Sequence, residues 1–360
     1  MTILNPKILF IPVSSPEGIG EYMRSLIIAQ AIIKQWPSAD IHFILSEQTS
    51  YASSCPFTTH LTPTSPTKHT KQVNNIIAHL SPNITIFDAS GRKAQLDAAK
   101  RCGSNVIFIS QHKKKRSRGL KWGRLKLTDI HWVAQPAFVL DDITAFEKFK
   151  LKCLNKKAPI NIGPVFSPVD SNVQKQLLTH YQLREGEYII FNAGSGGHQV
   201  NGELAADIYA RTAEAITQQL DVTCVMVYGN NYPNDIQSKI KHIAIRALDN
   251  EDFIALVDAA KLVVISGGDS LLQTISMKKP CLTSPVSKDQ PHRIAACVKN
   301  QLAIATETES NVMIEKIKSL LDDDSLAKLQ STLNHSSCSN GLDLALKDIK
   351  CLIEETLINV

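Results

Sequence analysis

The 360-residue sequence has no pair of cysteines spaced as in a metal-binding or redox motif. Its eight cysteines are scattered singly, so they indicate neither a zinc site nor a disulfide framework, and we expect reduced thiols in a cytoplasmic protein. No apolar segment approaches the ~20 residues that span a bilayer. The N-terminus lacks the charged leader and long apolar core of a signal peptide. We find no Asp-x-Asp motif that would hold a metal ion, and we expect neither a metal nor a separate cofactor.

Composition and length favour an ordinary globular protein of two domains. Hydrophobic residues make up 43% and charged residues 20% of the chain. The net charge of +5 is too mild to indicate nucleic-acid binding by itself. Its basic residues are evenly spread except in "HKKKRSRGLKWGRLK", residues 112–126. This stretch therefore needs an explanation of its own.

Short apolar runs alternate with amphipathic segments of helical length almost throughout. Runs rich in Ile, Val and Phe without polar alternation are typical of parallel strands buried on both faces, and their alternation with helices predicts doubly wound α/β layers. The predicted strands begin at Lys7, Asp40, Asn83, Asn105 and Ile130, and then at Tyr188, Val222, His242, Lys261 and Pro280. The clearest predicted helices are Glu21–Gln35, Gly202–Gln219, Asp252–Ala260 and Leu271–Lys278.

The pattern restarts after a Pro-containing stretch, residues 155–172, which we interpret as a linker. We therefore predict domains at 1–160 and 161–340, with a C-terminal helix in 341–360 that packs across them. The Ser-, Thr- and Pro-rich residues 49–70 predict an exposed loop. In doubly wound folds ligands bind at the carboxyl ends of the strands, so the loops at those ends are the candidate sites.

Three glycine-containing turns follow predicted strands. In the first, "GIGEYM", Gly18 and Gly20 allow a ligand to approach the backbone, or simply form a tight turn. The second, "GSGGH", offers amides and a hydroxyl suited to phosphate oxygens from Gly194, Ser195, Gly196 and Gly197. His198 either bridges a diphosphate or is an ordinary loop histidine. The third, "SGGDS", is Ser266, Gly267, Gly268, Asp269 and Ser270, and "KDQ" then adds Asp289 and Gln290 at another predicted helix start. An acid and an amide there suit sugar hydroxyls, although helix capping also explains Asp269.

These motifs resemble those of the GT-B glycosyltransferases, especially the group containing the peptidoglycan N-acetylglucosaminyltransferase. They also resemble the related UDP-sugar hydrolase of pseudaminic acid synthesis. The similarity rests on "GIGEYMRSLIIAQAI", on "GSGG" and above all on "SGGDSLLQTISMKKPCLTSPVSKDQ". It implies two Rossmann-like domains facing a central cleft, with the nucleotide-sugar held mainly by the second domain and the acceptor by the first.

The resemblance also assigns donor-binding positions within the second domain. Gly267 and Gly268 would approach the diphosphate, with Ser270 nearby. Gln273 stands where the family has a glutamate that grips the ribose, which leaves the nucleotide preference open. Asp289 and Gln290 stand where the family reads the hydroxyls of the donor sugar. Arg246 stands near the segment that contacts the nucleotide base.

A carboxylate stands where the family has its catalytic histidine. The related motif is Gly-x-Gly-His, and here the fourth position is Glu21. A carboxylate can accept a proton from an acceptor hydroxyl if burial raises its pKa, or it can merely favour the helix dipole. Asp88, which follows "NITIF", is a second candidate base, and its alternative role is a helix N-cap.

The basic stretch predicts a membrane or acceptor patch. Its candidate residues are Lys113, Lys114, Lys115, Arg116, Arg118, Lys121, Trp122 and Arg124. Such a patch would hold the protein peripherally on an anionic membrane, with Trp122 and Leu120 dipping in, or attract an acidic or diphosphate-bearing acceptor. A solvated basic loop is the alternative. No recognised nucleic-acid module surrounds it, so no nucleic-acid partner is expected.

The favoured function is therefore an inverting, metal-independent transferase. It would move sugar from a nucleotide-diphosphate sugar, with UDP favoured, to a hydroxyl of a cell-envelope glycan or lipid-linked acceptor. A nucleotide-sugar hydrolase or epimerase on the same fold is one alternative. A noncatalytic sugar-nucleotide-binding protein is the other, because Glu21 and Gln273 depart from the family pattern.

Overall fold

The computed structural model describes residues 5–14, 19–236 and 240–358, without the side chains of residues 323 and 355–358. The chain forms two compact units, Met1–Val165 with Gly341–Val360, and Phe166–Asn340. The break at 165/166 lies inside the stretch interpreted as a linker. Among the described residues, no helix combines the length and apolarity needed to cross a membrane.

Strands and helices alternate along most of the chain. Up to the break they are β1 (Lys7–Pro12), α1 (Gly20–Gln35), β2 (Asp40–Ser46), β3 (Thr58–Thr62), α2 (Thr70–Leu80), β4 (Ile84–Asp88), α3 (Lys93–Arg101), β5 (Asn105–Ser110), α4 (Lys113–Gly119), α5 (Trp122–Leu125), β6 (Ile130–Val133), α6 (Ala145–Cys153) and β7 (Ile160–Asn161). After it come α7 (Ser171–His180), β8 (Tyr188–Asn192), β9 (Gln199–Val200), β10 (Glu203–Leu204), α8 (Ala205–Leu220), β11 (Thr223–Val227), β12 (Ile243–Ile245), α9 (Asn250–Ala259), β13 (Leu262–Ser266), α10 (Asp269–Ser276), β14 (Cys281–Ser284), α11 (Gln290–Lys299), β15 (Ile304–Ala305), α12 (Ser310–Leu320), α13 (Asp323–His335) and α14 (Leu342–Ile358).

The first unit contains a seven-stranded parallel sheet in the order β3-β2-β1-β4-β5-β6-β7. The chain turns from one half of this sheet to the other between β1 and β4, where Pro12 pairs with Asp88. A crevice forms at such a reversal because the flanking connections leave on opposite sides. The carboxyl ends of β1 and β4 are therefore the natural ligand edge of this unit.

Separate apolar layers cover the faces of this sheet. One contains Ile28 and Ile32 of α1 together with Ala345 and Ile349 of α14. The other includes residues of α2 and α3, such as Ile77 and Leu96. The C-terminal helix was predicted to pack across both domains; in the structure it packs on α1 within the first unit.

The second unit contains a six-stranded parallel sheet in the order β12-β11-β8-β13-β14-β15. Strands β8 and β13 are buried along their whole length, which explains the apolar runs at 189–191 and 262–265. The turns after β8, β11, β13 and β14 share one edge because these strands run parallel. Two parallel sheets with helices between their strands confirm the predicted α/β class.

All the predicted strands are present. The structure differs from the prediction in a segment predicted as a loop and at the start of a helix. Within residues 49–70, predicted as an exposed loop, β3 pairs in parallel with β2 at the sheet edge. The helix predicted from Gly202 begins instead at Ala205, because Asn201 and Gly202 form the turn of the β9–β10 hairpin with positive φ angles of 51° and 85°. Asn-Gly is the dipeptide that such a turn favours.

Candidate functional site

Asp88 lies at the carboxyl end of β4 and is fully buried. Arg24 of α1 grips both of its oxygens, with Nε donating to Oδ2 at 2.8 Å and Nη2 to Oδ1 at 2.7 Å. Complete burial raises the pKa of Asp88 to about 6, and the Arg24 charge limits that rise. Both partners are almost inaccessible, so this ion pair fixes α1 against the sheet edge.

Glu21 lies in the first turn of α1, one turn before Arg24, and is partly exposed. Its charge contributes to the raised pKa of Asp88 and opposes the lowering of the pKa of Lys115 by burial. The ammonium of Lys115 donates to the carbonyl of Ala89 at 3.0 Å. Glu21 is thus the accessible carboxylate in a group of charges around the ends of β1 and β4.

The first glycine turn is only partly described. Gly18 lies outside the described residues. A Cβ added to Gly20 would meet nothing within 4 Å, so the packing of the described protein does not require glycine there.

The basic stretch is not one surface. Arg116 is buried, with Nη2 donating to the Asp141 carbonyl at 2.5 Å, and Lys113 pairs with the Asp141 carboxylate at 2.6 Å. Lys114 is exposed, and Trp122 is 40% exposed. Lys115, Arg118, Lys121 and Arg124 line a cavity. The expectation that Leu120 dips into a membrane is wrong, because Leu120 is fully buried in an apolar cluster with Leu125 and Leu151.

In the second unit, the turn after β8 packs against the turn after β11. Gly194 and Gly196 have φ angles of 88° and 92°, and a Cβ on Gly196 would lie 2.5 Å from the Tyr228 carbonyl. Asn192 accepts from the Gly194 amide at 3.0 Å. The backbone conformation and the packing of this turn therefore explain why both positions are glycine.

The rest of that turn faces outward. Ser195, Gly197 and His198 are exposed, and the Ser195 carbonyl accepts from the Asn231 amide at 2.8 Å. Arg246, assigned to the nucleotide base, is exposed and donates to the carbonyls of Tyr232 at 2.9 Å and Asn234 at 2.7 Å. It holds the neighbouring loop in place.

The turn after β13 is clamped from α11. The Gln290 side chain accepts from the amides of Gly267 at 3.1 Å and Val286 at 2.8 Å, so it ties the β13 turn to the β14 turn. Buried Arg293 donates through Nη1 to the Gly267 carbonyl at 2.6 Å, and its Nη2 lies 3.4 Å from Asp269 Oδ1. The acceptor oxygen of Gln290 is therefore already engaged by the protein.

The two glycines of this turn differ. A Cβ on Gly267 would lie 2.6 Å from Ile294 Cδ1, whereas the nearest atom to a Cβ on Gly268 would be Ser266 Oγ at 3.9 Å. A Cβ is therefore crowded at position 267 and has space at position 268. Such a space beside a helix N-terminus suits an anionic group.

The remaining predicted residues surround this turn. Ser266 is buried, and Ser270 and Gln273 are partly exposed on α10. The Gln273 side chain makes no hydrogen bond with another described residue. Asp289 is exposed and accepts from the Ser287 hydroxyl at 2.6 Å.

Three arginines at these sites were not predicted: Arg24 and Arg293, which hold the chain in place, and Arg92, which lines a cavity. Arg24 and Arg293 do so through contacts distant in sequence, which no local pattern encodes. Arg92 follows Gly91 in the turn after β4. Its position directly after a strand and a glycine was the signal from which the sequence could have predicted it as a site residue.

Comparison with known proteins found no matching family model and no matching curated protein. Among solved structures, the chain is similar to the glycosyltransferase of kitacinnamycin, with a TM-score of 0.62, 14% identity and 97% of this chain and 99% of that chain covered. The calicheamicin glycosyltransferase CalG4 gives a TM-score of 0.64, 10% identity and coverage of 98% and 99%. UDP-GlcNAc 2-epimerase from Neisseria meningitidis, solved with UDP-GlcNAc, gives a TM-score of 0.58 and 13% identity, with 95% of this chain and 99% of that chain covered. The predicted GT-B resemblance is thus confirmed at the level of the fold.

Proposed function

We propose that the chain is an enzyme acting on nucleotide-diphosphate sugars, with the donor held by the turns after β8, β13 and β14 of the second unit. The observation that carries this is the clamped turn around Gly267 and Gly268. Gln290 and Arg293 fix its backbone, while Gly268 leaves room that the protein does not fill. Amides at a helix start can stabilise the charge that develops on a leaving diphosphate.

The reaction we favour is inverting transfer of the sugar, from a UDP-sugar in the first place, to an acceptor hydroxyl. Glu21 is the proposed base because its carboxylate is partly exposed, whereas both oxygens of Asp88 are held by Arg24. Glu21 would take the hydroxyl proton as the acceptor oxygen attacks the anomeric carbon. Asp88 would then serve to position α1 and Glu21.

Epimerisation or hydrolysis of the nucleotide-sugar is the second candidate. It is supported by the similarity to UDP-GlcNAc 2-epimerase, whose fold this chain shares. Product analysis with donor alone separates the reactions. A fast conversion of donor without acceptor would contradict transfer and favour this alternative.

The decisive experiment for donor binding is a thermal-shift panel of uridine, thymidine, guanosine and cytidine sugars. A ligand that binds only the folded protein raises its stability with the logarithm of concentration over Kd. We expect uridine sugars to give the largest shift, and Gly268→Ala to reduce it. Absence of a shift with every nucleotide-sugar would contradict the proposal.

We further propose that the acceptor belongs to the cell envelope and that the first unit contacts an anionic membrane peripherally. Exposed Trp122, Phe146 and Phe149 support this, and Lys148 and Lys152 of α6 add positive charge beside the phenylalanines. Flotation with phosphatidylglycerol vesicles tests it. Phe146→Ser should reduce flotation relative to a matched change at Phe57, which is partly buried against the core of the same unit.

A further inference from the structure

The first unit contains a cavity of about 390 Å³ at the carboxyl end of β4. The turn after β4 forms one part of its wall, with Ala89, Ser90, Gly91 and Arg92, and helices α4 and α5 form another. Val13 and Thr67 complete the lining. Its position at the reversal point of the sheet is where doubly wound folds bind ligands.

The charges of this cavity all have one sign. Its charged lining residues are Arg92, Lys115, Arg118, Lys121 and Arg124, and no carboxylate joins them. In the described part of the chain, none of these five side chains forms an ion pair with a carboxylate. Burial is the main cause that lowers the pKa of Lys115 and the pKa of Arg124. The Arg118 charge lowers both pKa values further, and the Arg92 charge also lowers that of Arg124. The charges of Glu21 and Asp88 act in the opposite direction and raise the pKa of Lys115.

The cations are held in place by uncharged groups. The Arg124 guanidinium lies over the Phe108 ring at 6.0 Å, and its Nη1 atom is buried without a described hydrogen-bond partner. Arg92 Nε donates to the Thr67 carbonyl at 3.1 Å, and Lys115 is tied to Ala89. Cations that are held in place by uncharged groups lose little conformational entropy when an anion arrives, and the Arg124 Nη1 atom has no described partner to give up.

The turn after β4 is specialised to bring its backbone to the cavity. Ala89 adopts a φ of 51°, a left-handed conformation that costs a non-glycine residue about 1 kcal/mol. Gly91 has a φ of 81°, and a Cβ there would lie 2.7 Å from Leu96 Cδ1. Strain of this kind persists where the surroundings hold it, and it is frequent at ligand sites.

We propose that this cavity binds the phosphoryl groups of an anionic substrate, a diphosphate or closely spaced phosphates, through Arg118, Lys121 and Arg124. A single phosphate carries at most about two negative charges at neutral pH, so five cations favour more than one phosphoryl group. Resting on the proposed function, which places the donor in the second unit, this ligand is the acceptor. The acceptor is then a phosphorylated sugar or a diphosphate-linked glycan whose hydroxyl reaches Glu21.

The test is calorimetric titration of the full chain with inorganic pyrophosphate at low salt, with UDP present at saturation to occupy the donor site. Each of Arg118→Gln and Lys121→Gln should weaken binding about tenfold, because each removes a charge-assisted hydrogen bond. Lys126→Gln is the matched control, since Lys126 is exposed, lies just beyond α5 and does not line the cavity. Absence of pyrophosphate binding, or equal losses in Lys126→Gln and the cavity variants, would overturn the proposal.

A second arm identifies the source of the phosphate, using phosphatidylcholine vesicles containing phosphatidic acid. Retention that pyrophosphate displaces assigns the site to a lipid phosphate, whereas pyrophosphate binding without retention assigns it to a soluble ligand; either supports the site. The donor thermal shift is measured on the same variants. Pyrophosphate binding without a donor shift would overturn the proposed function alone, and a donor shift without pyrophosphate binding would overturn the cavity alone.

Discussion

At the scale of single residues, neighbouring carboxylates acquire different roles from their contacts. Asp88 is enclosed by the sheet and by Arg24, so its charge is committed to holding α1. Glu21 shares the same electrostatic environment but keeps an accessible carboxylate. A base must reach the proton that it accepts, and of these two carboxylates only Glu21 is accessible.

Replacing Glu21 by Gln tests its role directly. We expect the transfer rate to fall by about 10²–10⁴-fold, the usual contribution of a general base, while the donor thermal shift stays unchanged. Glu47→Gln is the control, because Glu47 is an exposed carboxylate of the same unit beyond the end of β2. A Glu21→Gln enzyme with wild-type turnover would remove Glu21 as the base.

His131 gives the first unit a predictable sensitivity to acid. It is buried beside Phe108, its Nε2 lies 2.9 Å from Ser110 Oγ, and burial lowers its pKa to about 3. Because the unfolded chain binds this proton near the ordinary pKa of about 6.5, stability is retained above that pH and lost as pH falls toward 3.

We therefore expect the unfolding free energy of the wild type to drop about 2 kcal/mol more than that of His131→Gln between about pH 7 and about pH 5. Urea denaturation at a series of pH values measures this difference. His79→Gln, at an exposed position of the same unit, is the control for removing a histidine. Parallel curves for wild type and His131→Gln would show that His131 does not titrate in this way.

At the scale of elements, the turns after the strands contain two kinds of glycine. Some are closely packed by the rest of the protein, and others are not. The turns after β8 and β13 both contain adjacent glycines, and the sequence motifs do not tell them apart. The structure does, because Gly196 and Gly267 have neighbouring atoms where a Cβ would lie. Gly268 has no such close neighbours, so the space beside it is available to a ligand.

Alanine substitutions at Gly267 and Gly268 form a matched pair. Gly267→Ala forces its Cβ against Ile294 and should cost about 1–3 kcal/mol of unfolding free energy. Gly268→Ala should leave stability within about 0.5 kcal/mol but weaken nucleotide-sugar binding. Urea denaturation and the thermal-shift panel measure the two effects. Unchanged donor binding in Gly268→Ala would argue against a ligand at this turn.

At the scale of the whole molecule, the chain leaves its first unit and returns to it. Gly341 marks the return, where its amide donates to the Pro164 carbonyl at 2.8 Å and a Cβ would lie 2.5 Å from the Ile162 carbonyl. Helix α14 then buries Ala345 and Ile349 in the layer shared with α1, and Asp348 accepts from the indole of buried Trp132 at 2.8 Å. The first unit is therefore complete only with residues from the end of the sequence.

Gly341→Ala should loosen this return and destabilise the first unit selectively. We expect faster hydrogen exchange in peptides of α1 and α14, because local opening exposes their amides, and no change in β8 or β13. Gly186→Ala on the second unit is a contrasting variant, since its φ of 75° strains alanine there while no atom lies within 4 Å of the added Cβ. Uniform exchange changes throughout Gly341→Ala would contradict this expectation.

The sequence by itself determined the α/β class, the positions of the buried strands and the turns that carry the glycine motifs. It could do so because burial on both faces of a parallel strand and the backbone freedom of glycine are local properties. Only the tertiary structure decided that Asp88 is held by Arg24, that Gln290 and Arg293 clamp the turn after β13, and that part of the basic stretch lines a cavity. These facts depend on side chains that are distant in sequence and meet only when the sheets form. The GIGEYM turn accordingly predicted Glu21 as a candidate, and its electrostatic interaction with Asp88 became visible only in the folded chain.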